Sequence, residues 1–450
     1  MKIILPDKVD QIITTLQKSG YEAYAVGGCV RDSLLGRTPE DWDITTSASP
    51  VETKALFART FDTGIEHGTV TVLLEKEGFE VTTYRIDGKY EDNRHPSEVT
   101  FTRSLKEDLK RRDFTINAMA YNNHDGLVDL FGGAEDLSKK VIRCVGNPRE
   151  RFAEDALRIL RAVRFSAQLG FAIEEETEEA IRCLVENLQY ISAERIQAEL
   201  VKLLTSPHPE KIGDAYRLGI TRVILPEFDR MEITEQETPH HCYNVGEHTE
   251  QALMHVPADK VLRLTMLFHD MGKPQKKTTD ENGRAHFKGH AAVSEELARV
   301  VMKRLKFDND TLHKVTKLVR YHDYRMPAEA KCVRRAMCRI GTELFPKYLQ
   351  VRRADTAAQS DYHKEEKIKN LDEIERVYRK ILSEGQCVSL RDLAVNGKDL
   401  IEAGVQPGPQ IGELLNELLE EVIEEPEKNT KGQLLIQLRQ FIMEREDSCQ

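Results

Sequence analysis

Two aspartates separated by a single residue are the first candidates for chemistry in this sequence. Asp41 and Asp43 flank Trp42 in the segment DWDI, which has the character of a short strand. Residues i and i+2 of a strand share a face, so the carboxylates would lie about 6–7 Å apart and repel each other unless a cation lies between them. Hard oxygen ligands favour Mg²⁺, and two such ions suit an in-line attack on phosphorus. An acidic turn is the alternative interpretation.

The residues before this pair indicate an anion site. In VGGCVRD, Gly27 and Gly28 stand between an apolar strand and a predicted helix that carries Arg31. Glycines let the backbone approach an anion, and the N-terminus of a helix attracts a phosphate. Arg31 in the first turns of the helix would reach the same anion. The segment predicts a triphosphate site beside a metal pair, although a plain strand–turn–helix corner would also carry two glycines.

Two further basic segments could meet a nucleotide. In KEDLKRRDFTINAMAY (106–121), Arg111 and Arg112 precede an apolar run, where they form either a nucleotide contact or a charged helix end. In RFAEDALRILRAVRF (151–165), four charged residues are spaced by three and are predicted to form one ridge of a helix: Asp155, Arg158, Arg161 and Arg164. Arginines on one ridge repel each other unless an anion or a carboxylate lies beside them. A solvated charged face is the alternative.

The pair Asp155 and Arg158 suggests how a base could be selected. Cytosine and adenine each present an exocyclic amine beside a ring nitrogen that accepts a hydrogen bond, whereas uracil and guanine present a carbonyl in place of the amine. A carboxylate accepts from the amine and a guanidinium donates to the ring nitrogen. We therefore expect this pair to admit C and A and to reject U and G without a nucleic-acid template.

The elements that must position these residues change character along the chain. Period-two alternation over residues 20–100 predicts strands. The pattern changes after about Lys110, and from AEDALRILRAVRFSAQLGF onward apolar residues recur at three and four, which predicts helices. The 450 residues suffice for two to four domains. No run approaches the roughly 18 apolar residues of a membrane span, and the start MKIILPDKVDQII predicts an amphipathic helix rather than a signal peptide. Eight scattered cysteines without a CxxC pair are typical of a reducing cytosol.

Net charge limits the contact with nucleic acid to part of the surface. The formal charge of −11 argues against indiscriminate binding of nucleic acid, but residues 143–164 hold six arginines against three acidic residues. A basic patch is therefore expected within an acidic protein.

An ordered set of motifs identifies a family. VGGCVRD, DWDI, DLKRRDFTINAMA, EDALRILRAVRF and ISAERIQAELVKLL together resemble bacterial class II CCA-adding enzymes, which are tRNA nucleotidyltransferases of the polymerase-β superfamily. Bacterial poly(A) polymerases and separate CC-adding and A-adding enzymes share the signature. The likeness covers about residues 20–205, and residues 396–419 resemble the C-terminal region of the family.

The resemblance implies a fold and roles for the candidate residues. The expected fold is an α/β nucleotidyltransferase head followed by a mostly α-helical neck, body and tail, elongated like a seahorse, with domains at 1–140, 141–205, 206–382 and 383–450. Asp41 and Asp43 would bind catalytic Mg²⁺, and Glu80 is the candidate third carboxylate. The residues implied in nucleotide binding are Gly28, Arg31, Arg112, Asp155, Arg158, Arg161 and Arg164. The implied partners are tRNA, CTP and ATP, in the cytoplasm and without a membrane.

One segment narrows the choice within the family. YRIDGKYEDNRHPSEVTF (84–101) is polar and rich in turn residues, and it resembles the flexible loop that helps such enzymes change from adding C to adding A. CC-adding enzymes lack that loop. Its presence disfavours CC-only addition and leaves an A-adding enzyme open.

A second group of candidate ligands lies in the helical half. Adjacent His269 and Asp270 in LFHDMGKP resemble the core of an HD phosphohydrolase signature, and His248 and Asp355 complete its order. His290 and His322 would add ligands for a second metal. Imidazole with carboxylate suits a divalent transition metal, with Mg²⁺ also possible, and such a site could hydrolyse a phosphoester. Simple polar loops are the alternative, and HD domains can be inactive.

Three classes of function follow from these motifs. The first is a template-independent nucleotidyltransferase that adds CCA to tRNA, with an A-adding enzyme or a poly(A) polymerase as alternatives within the family. The second is a metal-dependent HD phosphohydrolase whose head senses a nucleotide. The third is a non-catalytic RNA-binding protein. The carboxylate pair favours the first over the third, because a pure binder has no use for carboxylates that repel phosphates.

Overall fold

The chain forms two compact units, which are described separately. The structure is a computed structural model that describes residues 2–88 and 99–448. The units comprise Met1–Asp229 and Arg230–Gln450, and the division falls within helix Pro226–Glu232. Residues 89–98 lie outside the described residues. They form most of the segment 84–101 that resembles the flexible loop for the change from adding C to adding A. The domain boundaries after residues 140, 205 and 382 stay predictions.

The first unit is built on a mixed sheet. Its strands are β1 (Ala23–Val26), β2 (Ile44–Thr46), β3 (Thr60–Gly64), β4 (Thr69–Leu74), β5 (Glu77–Thr83), β6 (Arg85–Asp87), β7 (Val99–Phe101), β8 (Met119–Asn122), β9 (Gly126–Asp129), β10 (Val141–Ile142) and β11 (Ala172–Ile173). Seven of them form one sheet in the order β3-β4-β5-β2-β1-β8-β9. The β2–β5 pair is parallel and the other pairs of this sheet are antiparallel. The predicted strands before residue 100 are confirmed, and β8 and β9 add two strands to the sheet beyond the segments whose alternation had predicted strands.

Helices of the first unit follow the apolar spacing of the sequence. They are α1 (Asp7–Lys18), α2 (Gly28–Leu34), α3 (Pro50–Leu56), α4 (Leu105–Lys110), α5 (Gly133–Lys139), α6 (Pro148–Glu154), α7 (Leu157–Leu169), α8 (Glu175–Leu184), α9 (Ala193–Leu204), α10 (Ile212–Arg217), α11 (Ile220–Ile224) and α12 (Pro226–Glu232). The predicted N-terminal amphipathic helix is confirmed as α1, which buries Val9, Ile12, Ile13 and Leu16.

The predicted single helix over residues 151–165 is wrong, because the chain breaks it in two. Helix α6 ends at Glu154, and Asp155 adopts extended backbone angles (φ −139°, ψ 102°) before α7 begins at Leu157. The carboxylate of Asp155 accepts a hydrogen bond from the Leu157 N–H at 3.0 Å. Asp competes with the helical backbone through such local bonds, which favours it at helix ends. Asp155 therefore precedes the arginine ridge instead of extending it.

The second unit is mostly helical. Its helices are α13 (Val245–Met254), α14 (Lys260–Phe268), α15 (Lys273–Lys276), α16 (His290–Arg304), α17 (Asn309–Tyr321), α18 (Ala330–Ile340), α19 (Phe345–Ala357), α20 (Lys364–Ser383), α21 (Gly397–Glu402), α22 (Pro409–Glu424) and α23 (Lys431–Ser448). A small hairpin pairs β12 (Thr278–Thr279) with β13 (Ala285–His286). Among the described residues, no helix is long and apolar enough to span a membrane.

Two apolar clusters hold this second unit together. One joins α17 to α20 around Phe345, Tyr348 and Leu371, and the other joins α21 to α23 around Leu400, Leu418 and Leu438. Predicted helical character beyond the head is confirmed in this unit.

Replacing Gly133 with alanine is expected to destabilise the first unit. A Cβ on Gly133 would lie 2.3 Å from the Thr115 carbonyl oxygen, which belongs to the short 3₁₀ helix Thr115–Asn117 packed against α5. Overpacking against backbone typically costs about 1–3 kcal/mol. Urea unfolding of the Gly133→Ala variant measures this loss. Gly412→Ala is the control, since no atom lies within 4 Å of that Cβ and helix propensity favours alanine by up to about 1 kcal/mol. Equal stability of the two variants would contradict the expectation.

Candidate functional site

A cavity of about 450 Å³ in the first unit gathers the residues predicted to bind a nucleotide. It lies where α2, α7 and the segment after α4 meet. Every predicted nucleotide contact lines this cavity: Gly28, Arg31, Arg112, Asp155, Arg158, Arg161 and Arg164. Asp43, Asn117, Phe165 and Arg195 line it as well. Residues from distant parts of the sequence therefore share one site, while their individual roles stay predictions.

The register of the sheet places the glycine turn beside Asp43. Strands β1 and β2 are antiparallel with Ala25 opposite Ile44, so the end of β1 lies next to the start of β2. The Val26 N–H donates to the Asp43 carbonyl oxygen at 3.0 Å. Gly27 follows with a φ of +83°, and a Cβ at this position would lie 3.0 Å from Arg112 Nη1. Glycine is needed here because both its backbone angle and the space around it exclude a side chain.

The sequence had predicted that Asp41 and Asp43 lie within a short strand. In the structure both residues lie just before β2, and both are exposed. Although Asp43 is exposed as a whole, neighbouring groups partly desolvate its carboxylate and raise its pKa; Arg112 opposes this change, and the charge of Asp41 adds to it. Glu80 precedes Val81, which pairs with Ile44 across the parallel β2–β5 pair, so Glu80 is level with Asp43 on the neighbouring strand. Its role as third carboxylate stays a prediction.

Arg31 is held in place by its own helix and by the segment after α4. Its Nη1 donates to Asn117 Oδ1 at 2.7 Å, and its Nε and Nη2 donate to the carboxylate of Asp32 at 2.9 and 2.8 Å. Asn117 in turn donates to Asp113 at 3.2 Å. The Arg31 side chain is therefore buried and fixed before any ligand binds.

The arginines of α7 each have a carboxylate partner. Arg158 donates to Glu154 at 2.7 Å, Arg161 Nη2 lies 2.6 Å from Asp113, and Arg164 Nε lies 2.5 Å from Glu199. The sequence left open whether an anion or a carboxylate would relieve the repulsion between these arginines. In the structure, carboxylates do so, which leaves the outward edges of the guanidinium groups toward the cavity.

Phe165 forms an aromatic centre for three of the guanidinium groups. The carbon atoms Cζ of Arg31, Arg161 and Arg164 lie 5.2, 5.3 and 3.8 Å from its ring centroid. Phe114 packs edge-on against the same ring at 5.7 Å. Cation–π attraction of this kind stabilises cations that would otherwise be desolvated at a cost. Phe165 thereby connects Arg31 of α2 with the arginines of helix α7.

Burial changes the acid–base properties of this cluster. Burial lowers the pKa of Arg164 to about 10, although Glu199 opposes the change. Burial alone would raise the pKa of Asp113, but Arg161, Arg158 and the amide of Asn117 lower it to about 2. Asp113 is therefore ionised in the folded protein at neutral pH, and its negative charge is paired with Arg161.

Sequence analysis missed several residues of this cavity. Asn117 and Phe165 stand inside apolar runs that gave no sign of a polar role. Arg195 and Glu199 lie four residues apart in ISAERIQAELVKLL and so share one face of α9. That spacing could have predicted a charged face opposite α7, but not its partners Asp155 and Arg164.

The second unit contains a buried histidine cluster beside a cavity of about 550 Å³. The six predicted ligands come together there: His248, His269, Asp270, His290, His322 and Asp355. They come from the N-terminal parts of α13 and α16, the segment after α14, the end of α17 and the C-terminal part of α19. Two groups of three potential ligand atoms share Asp270 within the described residues: His248–His269–Asp270 and Asp270–His290–His322.

All four of these imidazoles are oriented in the same way. Each Nδ1 lies within hydrogen-bond distance of a backbone carbonyl oxygen: His248 with Ala358 at 3.3 Å, His269 with Met266 at 2.7 Å, His290 with Phe287 at 2.9 Å and His322 with Val319 at 2.7 Å. A carbonyl only accepts, so Nδ1 carries the proton and Nε2 of the neutral ring presents a lone pair inward. The Nε2 atoms of His290 and His322 lie 3.0 Å apart, an approach that two lone pairs disfavour unless a cation lies between them.

The two carboxylate oxygens of Asp270 face different histidines. Oδ2 lies 3.2 Å from His269 Nε2 and 3.7 Å from His248 Nε2, and Oδ1 lies 3.3 Å from His290 Nε2 and 3.5 Å from His322 Nε2. His269 Nε2 and Asp270 Oδ2 are buried without a well-formed hydrogen bond. Lys273 Nζ lies 2.6 Å from Oδ2. The donor set of imidazole and carboxylate fits divalent metal ions, which these histidines and Asp270 would hold.

Sequence analysis also missed His241 in the second cluster. Its ring packs edge-on against His248 with centroids 5.0 Å apart, and it lines the cavity. Burial lowers the pKa of His241 to about 3, with Lys273 adding to the effect. It is therefore a neutral imidazole beside the predicted ligands, in a loop whose letters, TPHHCYN, gave only a polar signal.

Comparison with known families finds three matching segments. Residues 23–143 match the poly A polymerase head domain, residues 170–232 match the probable RNA- and SrmB-binding site of polymerase A, and residues 276–438 match tRNA nucleotidyltransferase domain 2. The CCA-adding enzyme of Lactobacillus helveticus is 56% identical over 207 residues, which cover 45% of this chain and 52% of that protein. The corresponding enzyme of Oceanobacillus iheyensis is 54% identical over 204 residues, covering 45% and 51%. The chain thus spans about half the length of the curated relatives it matches.

Solved structures match over nearly the whole chain. The Bacillus stearothermophilus CCA-adding enzyme in complex with CTP is 30% identical, with a TM-score of 0.72, over 99% of this chain and 100% of that one. The Thermotoga maritima CCA-adding enzyme complexed with tRNA is 22% identical, with a TM-score of 0.58, over 98% and 100%, and supports the fold alone. The α/β head with a mostly helical remainder is therefore confirmed as the fold class.

Asp113 is expected to stabilise the first unit in a pH-dependent manner. Its folded-state pKa is lowered from 3.8 to about 2, so its ionised form stabilises the folded chain above about pH 4, and the contribution disappears as pH falls toward 2. An Asp113→Asn variant should lose about 2 kcal/mol of unfolding free energy at pH 7. Urea unfolding at several pH values measures the loss. Asp62→Asn, which removes an exposed partner of Lys54, should cost about 0–1 kcal/mol. A difference between Asp113→Asn and wild type that does not shrink below pH 4 would contradict this account.

Proposed function

The chain belongs to the family of CCA-adding enzymes, and from that premise we propose that it completes tRNA 3′ ends by adding C, C and A from CTP and ATP without a nucleic-acid template. The reaction is attack of the tRNA 3′-hydroxyl on the α-phosphate of the nucleotide, with pyrophosphate leaving. A cytoplasmic location and the division into a head (1–140), neck (141–205), body (206–382) and tail (383–450) belong to the same proposal.

One observation carries this proposal. Gly27, just after β1, and Asp43, just before β2, line the same cavity as Asp155 and Arg158. A nucleotide in that cavity would have its phosphates near the glycine turn and its base near the break between α6 and α7. Phosphate binding, a carboxylate pair and a base-reading pair are the three parts that protein-templated nucleotide addition requires.

The arginines of the cavity would hold the triphosphate and orient its α-phosphorus. Arg31 and Arg112 lie closest to the glycine turn, and their guanidinium groups can form charge-assisted hydrogen bonds with phosphate oxygens. Because Asp32, Asn117 and Asp108 already fix these side chains, little rotamer entropy is lost on binding. Transfer of a phosphoryl group depends mostly on such positioning and on electrostatics.

Asp41 and Asp43 fit a pair of divalent ions, for which we propose Mg²⁺. Their carboxylates are hard oxygen donors, and the pKa of Asp43 is raised mainly by burial, with the charge of Asp41 adding to the effect, so a bound cation would favour the ionised pair. Such ions would lower the pKa of the attacking hydroxyl and neutralise charge on the transferring phosphorus. Glu80, level with Asp43 on β5, is the proposed third carboxylate.

Base selection would come from Asp155 and Arg158. The carboxylate would accept from the amine of cytosine or adenine, and the guanidinium would donate to the adjacent ring nitrogen. Both side chains are mostly buried at the cavity wall, so a mispaired base would leave one of them unsatisfied. Arg161 and Arg164 would complete the pocket.

The tRNA partner would be bound through phosphate contacts, so its affinity should fall steeply with salt. The alternatives within the family are an A-adding enzyme and a poly(A) polymerase. The predicted loop over residues 84–101 would favour addition of both C and A, although residues 89–98 lie outside the described part of the chain.

A primer-extension assay tests this function. Purified protein with Mg²⁺ receives tRNA ending before CCA, after C, or after CC, with single nucleotides and with CTP plus ATP. We expect products ending in CCA, with UTP and GTP ignored. Asp41→Asn and Asp43→Asn should each slow addition by at least about 100-fold, whereas Asp62→Asn, on an exposed pair, should leave it unchanged. A single A on the CC-ended tRNA alone would instead indicate an A-adding enzyme, long A tails a poly(A) polymerase, and no extension would refute the proposal.

A second function is proposed for the histidine cluster, which would bind two divalent transition-metal ions and hydrolyse a phosphoester. The favouring observation is that four imidazoles present Nε2 toward the two oxygens of Asp270. Bound metals would activate water for attack on phosphorus. The chain itself would orient the substrate, since Lys273, Arg284, Lys288, Arg325 and Lys367 line the cavity and attract phosphate.

Metal content tests the second site without relying on activity. After loading with Mn²⁺ and dialysis, we expect about two ions per chain in the wild type, about one in His322→Ala and about none in Asp270→Ala, because both groups of ligands share Asp270. His286→Ala is the control, since His286 lines the cavity but pairs with Asp280 outside the cluster. Elemental analysis gives the counts, and far-UV circular dichroism checks folding. Unchanged metal content in a folded Asp270→Ala variant would refute the site. We expect the Asp270→Ala variant to extend tRNA as well as the wild type does.

A further inference from the structure

Arg195 connects helix α9 to the break between α6 and α7. Its Nη2 donates to Asp155 Oδ2 at 2.8 Å, while Asp155 Oδ1 accepts from the Leu157 N–H at 3.0 Å. Both oxygens of this carboxylate are therefore fixed, one by the backbone and one by Arg195. Only a quarter of the Arg195 side chain is exposed, and the Asp155 side chain is 17% exposed.

Fixing both oxygens leaves the carboxylate able to accept further hydrogen bonds. An ionised carboxylate has about four lone-pair sites on its two oxygens, and Leu157 and Arg195 use one on each. The remaining sites can accept from an exocyclic amine in the cavity. Without Arg195, rotation of the Asp155 side chain would be limited only by the bond to the Leu157 N–H.

The position of Arg195 in its helix is unfavourable by itself. It lies in the first turn of α9, where the helix dipole disfavours a cation, and the other charged residue of that turn is Glu194. Arg195 Nη1 is buried and has no hydrogen-bond partner among the described residues, although the side chain lines the cavity. An arginine at a helix N-terminus, with a donor that has no partner among the described residues and lies beside a cavity, indicates a role toward that cavity.

Each member of the base-reading pair has its own partners. Arg158 donates to Glu154 at 2.7 Å and to the backbone carbonyls of Arg111 and Arg151 at 3.0 and 3.2 Å, whereas Asp155 accepts from Arg195 and from the Leu157 N–H. Since Glu154 and Arg195 come from different helices, a substitution of Arg195 removes a hydrogen bond of Asp155 and leaves the hydrogen bond between Arg158 and Glu154 in place.

We propose that Arg195 is a positioning residue that fixes the Asp155 carboxylate for the amine of cytosine or adenine, and that it thereby sharpens the selection of C and A over U and G by Asp155 and Arg158. This inference rests on the proposed nucleotidyltransferase function. Arg195 is assigned no contact with the reacting atoms, so its loss should change which nucleotide is accepted more than the rate with the correct one.

The test compares Arg195→Gln with Arg195→Lys and with a matched control. Arg222→Gln is that control, because Arg222 donates to Glu186 at 2.7 Å in an exposed pair away from the cavity. Single-nucleotide extension of tRNA is measured for all four nucleotides. Arg195→Gln should raise the incorporation of UTP relative to CTP, and of GTP relative to ATP, by about 10- to 100-fold, the factor expected when a hydrogen bond to a charged group is lost. Arg195→Lys should restore most of the selectivity, and Arg222→Gln should match the wild type.

A double-mutant cycle tests whether Arg195 acts through Asp155. If it does, the variant with both Arg195→Gln and Asp155→Asn should select no worse than Asp155→Asn alone. Additive losses of selectivity would overturn the inference. The inference would also be overturned if Arg195→Gln slowed the incorporation of all four nucleotides equally, or if it lowered stability without changing selectivity. Either result would mean that Arg195 only holds the helices together.

The two proposals fail in different ways. If the wild type extends no tRNA, the nucleotidyltransferase function fails and this inference falls with it. If the wild type selects C and A and folded Arg195→Gln selects them equally well, only the inference fails. Should Arg195→Gln not fold, Arg195→Lys decides, since it keeps the charge but replaces the planar guanidinium and should still show a measurable drop in selectivity.

Discussion

The ion pairs behind the arginines are the interaction on which the cavity of the first unit depends. Arg158, Arg161 and Arg164 lie on one face of α7, and Arg31 approaches them from α2. Their charges would repel each other if Glu154, Asp113 and Glu199 did not lie behind them, and if the ring of Phe165 did not lie among them. Because the partners stand behind and the cavity stands in front, the outward edges of the guanidinium groups remain directed at a ligand. The same arrangement that stabilises the folded unit therefore also prepares it to bind an anion.

The sheet contributes a second constraint, which is geometric. Antiparallel pairing of β1 with β2 places the end of one strand beside the start of the other, so Gly27 and Asp43 meet although 16 positions separate them. Parallel pairing of β2 with β5 then places Glu80 level with Asp43. A shift of one residue in either register would reverse the faces of these side chains. The catalytic carboxylates of the proposed function thus depend on strand pairing rather than on local sequence.

In the histidine cluster of the second unit, as in the first unit, partners on the outer side of each side chain fix its orientation. Backbone carbonyls of four separate segments accept from Nδ1 of His248, His269, His290 and His322, which leaves each Nε2 facing inward. Asp270 contacts both halves of the cluster through its two oxygens, and the rings of His269 and His322 also meet across them. In both units, the outer partners are backbone groups or side chains that had no recognisable signal of their own, and they decide the direction in which the recognisable residues point.

The sequence by itself determined the type of elements in the head before residue 100, the helical character of most of the remainder, the family and the identity of many of the residues that meet in each cavity. These follow from local periodicity and from ordered motifs, which depend on neighbours along the chain. Only the tertiary structure decided that Asp155 stands outside α7, that β8 and β9 join the sheet, and that Asn117, Phe165, Arg195 and His241 belong to the sites. The contacts of Asn117 with Arg31 and of Arg195 with Asp155 join residues 40 or more positions apart, and no spacing within a short segment records such a partner.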